Sequence, residues 1–369
     1  MQTKVQATDL RSIAKLAGVS HSTVSRVING KAHIADDTRE RVLAVLRESG
    51  YLSRRRASRR LRHEKRRPFS VEVVLCQFSR HNETLPGGFQ MQVLAGIQDF
   101  VEDYGPVEQH LSYWNETQHR GDVDTASLLR TCEQRDGVLL TGNPTPELVF
   151  ALRKIGKAVV LADSEVEGTA VDSVLSDNVW GGRLAAQQLI AAGVERIGCL
   201  VTTPQYIPCK QRLWGIQMEL MMHGLAMRPG DFPQVIEHDE QTIRDTLEQW
   251  ETSGDGFPVG IIALSGFSTM YLMHYLVSHG ISCPDDISVV GFDNLDALRL
   301  MVPSPTRVAT FPRTIGRKAM KRLVEKLNSQ DVDDVPHKVV IPVELMAGST
   351  VRTSHLSSDE SKVDAANSD

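Results

Sequence analysis

The sequence contains no uninterrupted apolar run approaching the roughly 18 residues that a membrane span needs, and Met1 to Leu10 lacks the apolar centre of a secretory signal. These absences argue against a membrane partner and lead us to expect a cytoplasmic protein. Cysteine is scarce as well. Cys76, Cys132, Cys199, Cys209 and Cys283 show no CxxC and no Cys/His ligand spacing, so neither a disulfide framework nor a zinc site is suggested, and buried thiols are expected. A P-loop, a nucleotide-type GxGxxG, a GxSxG elbow and an HExxH helix are all missing, and no histidine pairs with a credible nucleophile. The expectation is a protein that is not an enzyme and carries no cofactor. With 369 residues, 41% hydrophobic and 24% charged, the chain is long enough for two or three globular domains, which excludes disorder throughout.

A formal net charge of -5 conceals a strong asymmetry. Residues 1–68 hold 17 Lys+Arg against 6 Asp+Glu, while residues 69–369 hold 24 against 40. A basic head therefore precedes an acidic body. Phosphate neutralisation by Lys and Arg supplies most non-specific affinity for nucleic acid, so the head points to DNA and the body to another task.

Within the head, Asp9 is placed to cap a helix whose apolar positions Leu10, Ile13, Ala14 and Ala17 fall at helical spacing, and Gly18 suits the turn that follows. Ser20 caps a second helix with Val24, Val27 and Ile28 inward. Asp36 or Asp37 opens a third, with Val42, Leu43 and Leu46 closing a small core and Gly50 ending it. Helix, short Gly-containing turn, helix is the arrangement that sets a recognition helix into the DNA major groove.

These residues carry a resemblance. The run Ile13-Ala14-Lys15-Leu16-Ala17-Gly18-Val19-Ser20, then Ser22-Thr23-Val24-Ser25-Arg26-Val27-Ile28-Asn29-Gly30, then Thr38-Arg39-Glu40-Arg41-Val42 and Gly50-Tyr51, resembles the DNA-binding head of the lactose-repressor/galactose-repressor (LacI/GalR) family of bacterial transcription factors. The resemblance implies that His21, Ser22 and Arg26 reach base edges, Arg26 as a bidentate fork on guanine, and that Ser20, Thr23, Ser25, Asn29 and Tyr51 hold phosphates. After Gly50-Tyr51 the chain departs from the family. Where the family has Pro-Asn, then an alanine, then a leucine that wedges into the minor groove, this chain has Ser53, Arg54, Ala57 and Arg60. Leu61 stands one residue beyond the expected leucine, about 100° round a helix, so either the hinge is shifted by one residue or the minor groove receives arginine.

From residue 70 onward, apolar strand-like runs (Val71–Leu75, Gly137–Leu140, Ala158–Ala162, Ile197–Val201, Gly260–Leu264, Ile287–Phe292) alternate with helical patterns, among them Gln90–Val101, Gly181–Ala192, Trp214–Met222 and Met270–Ser278. The alternation implies parallel sheets. This stretch is similar to the body of the same family, which implies two doubly wound lobes, like a periplasmic binding protein, with a ligand in the cleft between them. The expected fold is thus an all-α helix-turn-helix head plus an α/β body of two doubly wound parallel-sheet lobes. Expected boundaries are 1–51 for the head, 52–69 for an arginine-rich hinge, 70–352 for the effector-binding and dimerisation body, and 353–369 for a disordered tail.

In the body the resemblance assigns Arg212 and Asp293 to the hydroxyls of an effector, facing each other across the cleft, which suggests a sugar. Trp180, Phe267 and Ser268 replace residues common at the pocket, and an aromatic face at Trp180 or Phe267 suits stacking on a sugar ring. The first cleft loop, Gln77 to Phe89, is longer than the family's and lacks its aromatic pair. The resemblance implies a homodimeric repressor of an operator in double-stranded DNA, controlled by a small molecule. Two alternatives stay open: an architectural DNA binder without effector, and a non-sugar co-repressor such as a nucleobase. A periplasmic binding protein is opposed by the missing signal and the added head.

Overall fold

A computed structural model describes residues 9–28, 34–49, 67–76, 88–115, 124–202, 206–235, 240–329 and 335–352. The head consists of α1 (Leu10–Ala17), α2 (His21–Ile28) and α3 (Asp36–Glu48). Asp9 caps α1 by accepting the Ser12 N–H at 2.8 Å, and Gly18 ends it with φ +64°, a left-handed turn that glycine takes without strain. Ser20 accepts the Thr23 N–H at 3.1 Å and so caps α2. α3 begins at Asp36 behind Ala35, which makes no side-chain cap. Ile13, Ala14, Ala17, Val24, Val27, Val42 and Leu46 form the buried core of the head, with Leu43 and Ile28 packed at its margin.

The body is built on two six-stranded sheets. The first contains β1 (Phe69–Cys76), β2 (Val107–Trp114), β3 (Gly137–Gly142), β4 (Ala158–Ala162), β5 (Asp172–Ser176) and β11 (Lys338–Ile341), in the order β11-β5-β4-β3-β1-β2. The second contains β6 (Ile197–Thr202), β7 (Gln234–Val235), β8 (Gly260–Ala263), β9 (Ser288–Phe292), β10 (Thr306–Ala309) and β12 (Glu344–Met346), in the order β12-β10-β9-β8-β6-β7. β1, β3, β4, β5 and β11 run parallel, as do β6, β7, β8, β9 and β10; β12 closes the second sheet antiparallel to β10. Central strands such as Gly137–Gly142 and Ser288–Phe292 are buried along their whole length, as strands covered by helices on both faces must be.

Helices connect them: α4 (Gly88–Tyr104), α5 (Thr125–Glu133) and α6 (Pro146–Lys154) in the first lobe, and α7 (Asn178–Ala191), α8 (Ile207–Met222), α9 (Glu240–Thr252), α10 (Gly266–Ser278) and the short α11 (Asp296–Arg299) in the second. α12 (Pro312–Asn328) follows β10 yet packs on β3, β4 and β5. The chain therefore passes between the sheets after β5, after β10 and again after β11. Sequence patterning indicated neither these passages nor the edge elements β2, β7, β11 and β12.

Close backbone approach locks α7 to α8. A Cβ on Gly215 would lie 2.0 Å from the Val179 carbonyl oxygen, and one on Gly182 would lie 2.0 Å from that of Arg212. Gly215→Ala should therefore force the two helices apart and destabilise the body by about 3 kcal/mol, measurable as a lowered urea midpoint at unchanged slope.

In the first lobe, buried Asp172 accepts from Arg322 Nε at 2.6 Å, Lys326 Nζ at 2.7 Å and the His337 N–H at 3.0 Å, tying β5 to α12 and β11. Burial alone would raise its pKa; the bonds from Lys326, His337 and Arg322 outweigh that and hold it below the usual carboxylate value. A depressed folded-state pKa stabilises fully above the unfolded value, near pH 4, and that stability is lost as pH falls through the folded value. Asp172→Asn should lower stability at neutral pH and flatten its decline below about pH 4 in urea titrations.

Candidate functional site

Two sets of side chains emerge, one on the head and one on the body. At about 100° per helical residue, His21, Ser22, Ser25 and Arg26 fall within one arc of about 140° on α2, away from the buried Val24 and Val27. His21, Ser22 and Arg26 are exposed; Thr23 and Ser25 are half-buried. The Ser20 hydroxyl lies 2.8 Å from both the Ser22 and Thr23 hydroxyls, so the first turn of α2 carries a linked set of hydroxyl groups beside an imidazole and a guanidinium. Such a convex, uncharged-to-basic helix face suits the acceptor-rich floor and phosphate walls of a major groove. Asn29, Tyr51, Arg54, Ala57, Arg60 and Leu61 lie outside the described residues, as do residues 77–87 of the first cleft loop and the tail 353–369.

The body's set gathers at the carboxyl ends of β4, β8 and β9, where ligands bind in sheets of this kind. Arg212, only 4% exposed, donates from Nε to Asn178 Oδ1 at 3.0 Å, from Nη1 to the Leu264 carbonyl at 2.6 Å and from Nη2 to Asp293 Oδ1 at 3.3 Å. Its guanidinium lies over the Phe292 ring, 4.6 Å from the centroid. Asp293, with φ +71°, also accepts from the Thr310 hydroxyl at 3.0 Å and from the Gly266 N–H at 3.0 Å. Burial works most strongly against the charged arginine, but Asp293, together with the surrounding Cys209, Asp163 and Tyr206, outweighs it and holds the Arg212 pKa above its ordinary value. The two residues come from α8 and from the turn directly after β9, so the pair lies within the second lobe. This corrects the expectation of a pair facing across the cleft: the passage after β5 brings α7 and α8 onto the same sheet as β9.

Contacts between the lobes come from residues that sequence reasoning missed. Tyr206, at the start of α8, donates its hydroxyl to Asp163 Oδ2 at 2.7 Å and to the Asp163 carbonyl, and Gln211 Nε2 donates to Glu165 Oε2 at 2.9 Å. Asp163 and Glu165 follow β4 of the first sheet; Asp163 is buried and has φ +54°. Burial, then the charge and hydrogen bond of Asp163, push the Tyr206 pKa well above its ordinary value, so the hydroxyl stays a donor. Asp163 was discoverable in principle as an acid directly after the apolar run Ala158–Ala162. Tyr206 gave no comparable signal.

The other assigned residues occupy different settings. Trp180 is 42% exposed on α7 and carries the Arg183 guanidinium 5.3 Å from its ring centroid. Phe267 packs against Tyr271, 4.4 Å between centroids, at the edge of the α9–α10 core. Ser268 is fully buried, its hydroxyl closed into a capping box with Ser265 at the start of α10. Among the described residues there is no cluster of three or more His, Cys, Asp or Glu side chains able to hold a metal, and no helix long and apolar enough to cross a membrane.

A helix-turn-helix head followed in one chain by a two-lobed body with a polar cluster at its strand ends defines a ligand-responsive DNA-binding regulator. Comparison with known proteins makes this specific. Residues 9–53 match the model of bacterial regulatory proteins of the lacI family, and residues 186–351 match that of a periplasmic binding protein-like domain. The chain thus carries a LacI-family DNA-binding domain and a periplasmic-binding-protein-like domain, and its homologues are LacI-family transcription regulators, which are not enzymes. It is 25% identical to the HTH-type transcriptional repressor PurR of Photobacterium profundum, over 87% of this chain and 92% of that one. It is also 25% identical to the repressor CytR of Escherichia coli (90% and 94% covered) and 27% identical to catabolite control protein A of Priestia megaterium (89% and 96%). Among solved structures, the transcriptional regulator CelR–cellobiose complex superposes with a TM-score of 0.67 at 23% identity (93% and 100% covered), and the Lac repressor dimer bound to operator and anti-inducer with 0.64 at 20% (94% and 99%).

Removing the acid at the centre of the body's cluster should be costly. Asp293→Ala would leave a buried guanidinium without its counter-charge, and a loss of about 3–5 kcal/mol in unfolding free energy is expected by urea denaturation. Asp293→Asn, which keeps an acceptor, should lose less.

Proposed function

We propose that this chain is a homodimeric repressor whose two heads, residues 1–51, read the halves of a near-palindromic operator, while a sugar or sugar derivative bound between the lobes changes operator affinity. The single observation that carries this reading is the Arg212–Asp293 pair: a donor fork and an acceptor, held by protein partners at the carboxyl ends of strands, match vicinal hydroxyl groups. The cellobiose held by one of the superposed regulators supports the ligand class. Residues 70–352 form the effector and dimerisation body, and 52–69 the hinge that links it to the heads. The ligand acts by exchanging hydrogen bonds with the interlobe contacts Tyr206–Asp163 and Gln211–Glu165, so that lobe closure and head spacing shift together. Trp180 or Phe267 offers the apolar face of a ring its partner.

On the head, His21, Ser22 and Arg26 read bases, while Ser20, Thr23, Ser25, Asn29 and Tyr51 hold phosphates. Arg54, Ala57, Arg60 and Leu61 enter or follow the minor groove. Arg26→Ala should cost about 1–3 kcal/mol of operator binding and relax selectivity at one base pair; equal weakening on every sequence would make it a phosphate contact. Fluorescence anisotropy with DNA from upstream of the protein's own gene, at fixed salt and with a panel of mono- and disaccharides, tests the whole reading. Release by one sugar supports it. Indifference to every sugar overturns the sugar assignment.

A further inference from the structure

The second lobe holds a buried cation without a counter-ion. Arg307, on β10, is 4% exposed, and neither it nor neighbouring Arg299 makes an ion pair with any described residue. Arg307 Nη1 reaches the Pro305 carbonyl at 3.2 Å; Nη2 has only Asn294 Oδ1 at 3.4 Å, beyond ordinary hydrogen-bond length, and the Met346 sulfur, a weak acceptor, at 3.6 Å. Its Nε is buried with no partner. Arg299, exposed on α11, turns to the same oxygen, with Nε at 3.3 Å and Nη2 at 3.2 Å from Asn294 Oδ1. Three N–H donors from two cations thus converge on one neutral amide oxygen that has two lone pairs.

Every other strongly buried charged side chain of the second lobe for which partners have been described is matched: Arg212 by Asp293, Glu219 by Arg183, Asp231 by Arg196. Arg307 alone in that set is not, although burying an unpaired guanidinium is costly. The strain registers electrostatically, for burial and then the charge of Arg299 lower the Arg307 pKa. The cover over the site is thin: Met346 belongs to the edge strand β12, directly opposite Arg307 in the ladder, and Asn294 is half-buried.

We propose that Arg307, Arg299 and Asn294 form a receptor for an oxyanion, a carboxylate or phosphate group that bridges the two guanidinium groups. Planar forks in this arrangement suit two-oxygen recognition. The site is separate from the Arg212–Asp293 pair and independent of the effector assigned above, but it is connected to that pair by sequence: Asn294 follows Asp293, and Leu295 packs against Gly266, whose N–H binds Asp293. Occupancy would fix this loop from behind.

Thermal unfolding of the full chain at constant ionic strength tests the proposal, with potassium phosphate or potassium acetate replacing chloride. Wild type should melt about 3 °C higher in one of these anions at about 20 mM, and both Arg307→Met and the surface variant Arg299→Ala should lose that rise. An oxyanion from solution gives a rise that is independent of protein concentration. A carboxylate supplied by a second copy of the chain gives instead a melting temperature that climbs with protein concentration and ceases to do so in both variants. The proposal is overturned if wild type responds to neither anion nor to protein concentration while Arg307→Met melts at or above it, since an arginine with no anion to bind is improved upon by an apolar side chain. A rise retained in both variants also overturns it, because the anion then acts elsewhere.

Discussion

The buried guanidinium of Arg212 is the group on which the body's candidate site depends. A cation 4% exposed is tolerated only if its donors are met, and here the acceptors come from three separate places: Asn178 at the start of α7, the Leu264 carbonyl after β8, and Asp293 after β9. Each of these partners is held in turn. Asp293 is fixed by Thr310 and the Gly266 N–H, and Asn178 donates to Gln211 at 3.2 Å. Gly182 and Gly215 let α7 and α8 approach closely enough for Asn178 and Arg212 to meet. One side chain therefore ties together the start of α7 and the ends of β8 and β9.

The contacts between the lobes have a different character. Tyr206 on Asp163 and Gln211 on Glu165 are single polar interactions at the ends of long passages of chain, and Glu165 is shared with Lys338 at 2.6 Å. Polar contacts of this kind can be exchanged for a ligand's hydroxyl groups at little net cost, whereas the apolar interior of each lobe cannot rearrange without loss of packing. Arg307 on β10 and Arg299 on α11 meet at Asn294, the residue after Asp293, and bring a second set of charges to bear on one of these strand ends.

Much of this was legible in the sequence. The head's caps and turn were recognisable because Asp9, Gly18 and Ser20 act within four residues of themselves. Strands such as Ala158–Ala162 stood out because burial on both faces demands an uninterrupted apolar run. β2 did not, since at the sheet edge buried Val107 and Trp114 are separated by partly exposed residues that include Glu108, Gln109 and His110. α9 was hidden by a surface of Glu, Gln, Arg and Asp around the buried Ile243, Leu247 and Trp250. Arg212 and Asp293 were found by resemblance; Asp163 and Tyr206, 43 residues apart, were missed because only the passage between sheets brings them together. Nothing in the sequence singled out Arg307, whose lack of a counter-ion among the described residues exists only in three dimensions.

The proposed function couples ligand in the cleft thermodynamically to DNA at the head. Calorimetric titration of the sugar that releases the operator, into free protein and into protein saturated with operator, tests it most directly. Coupling of about 1–3 kcal/mol predicts that operator weakens the sugar by about 5–150-fold, the same factor by which the sugar weakens operator binding. An affinity for the sugar that is identical with and without operator would contradict the account.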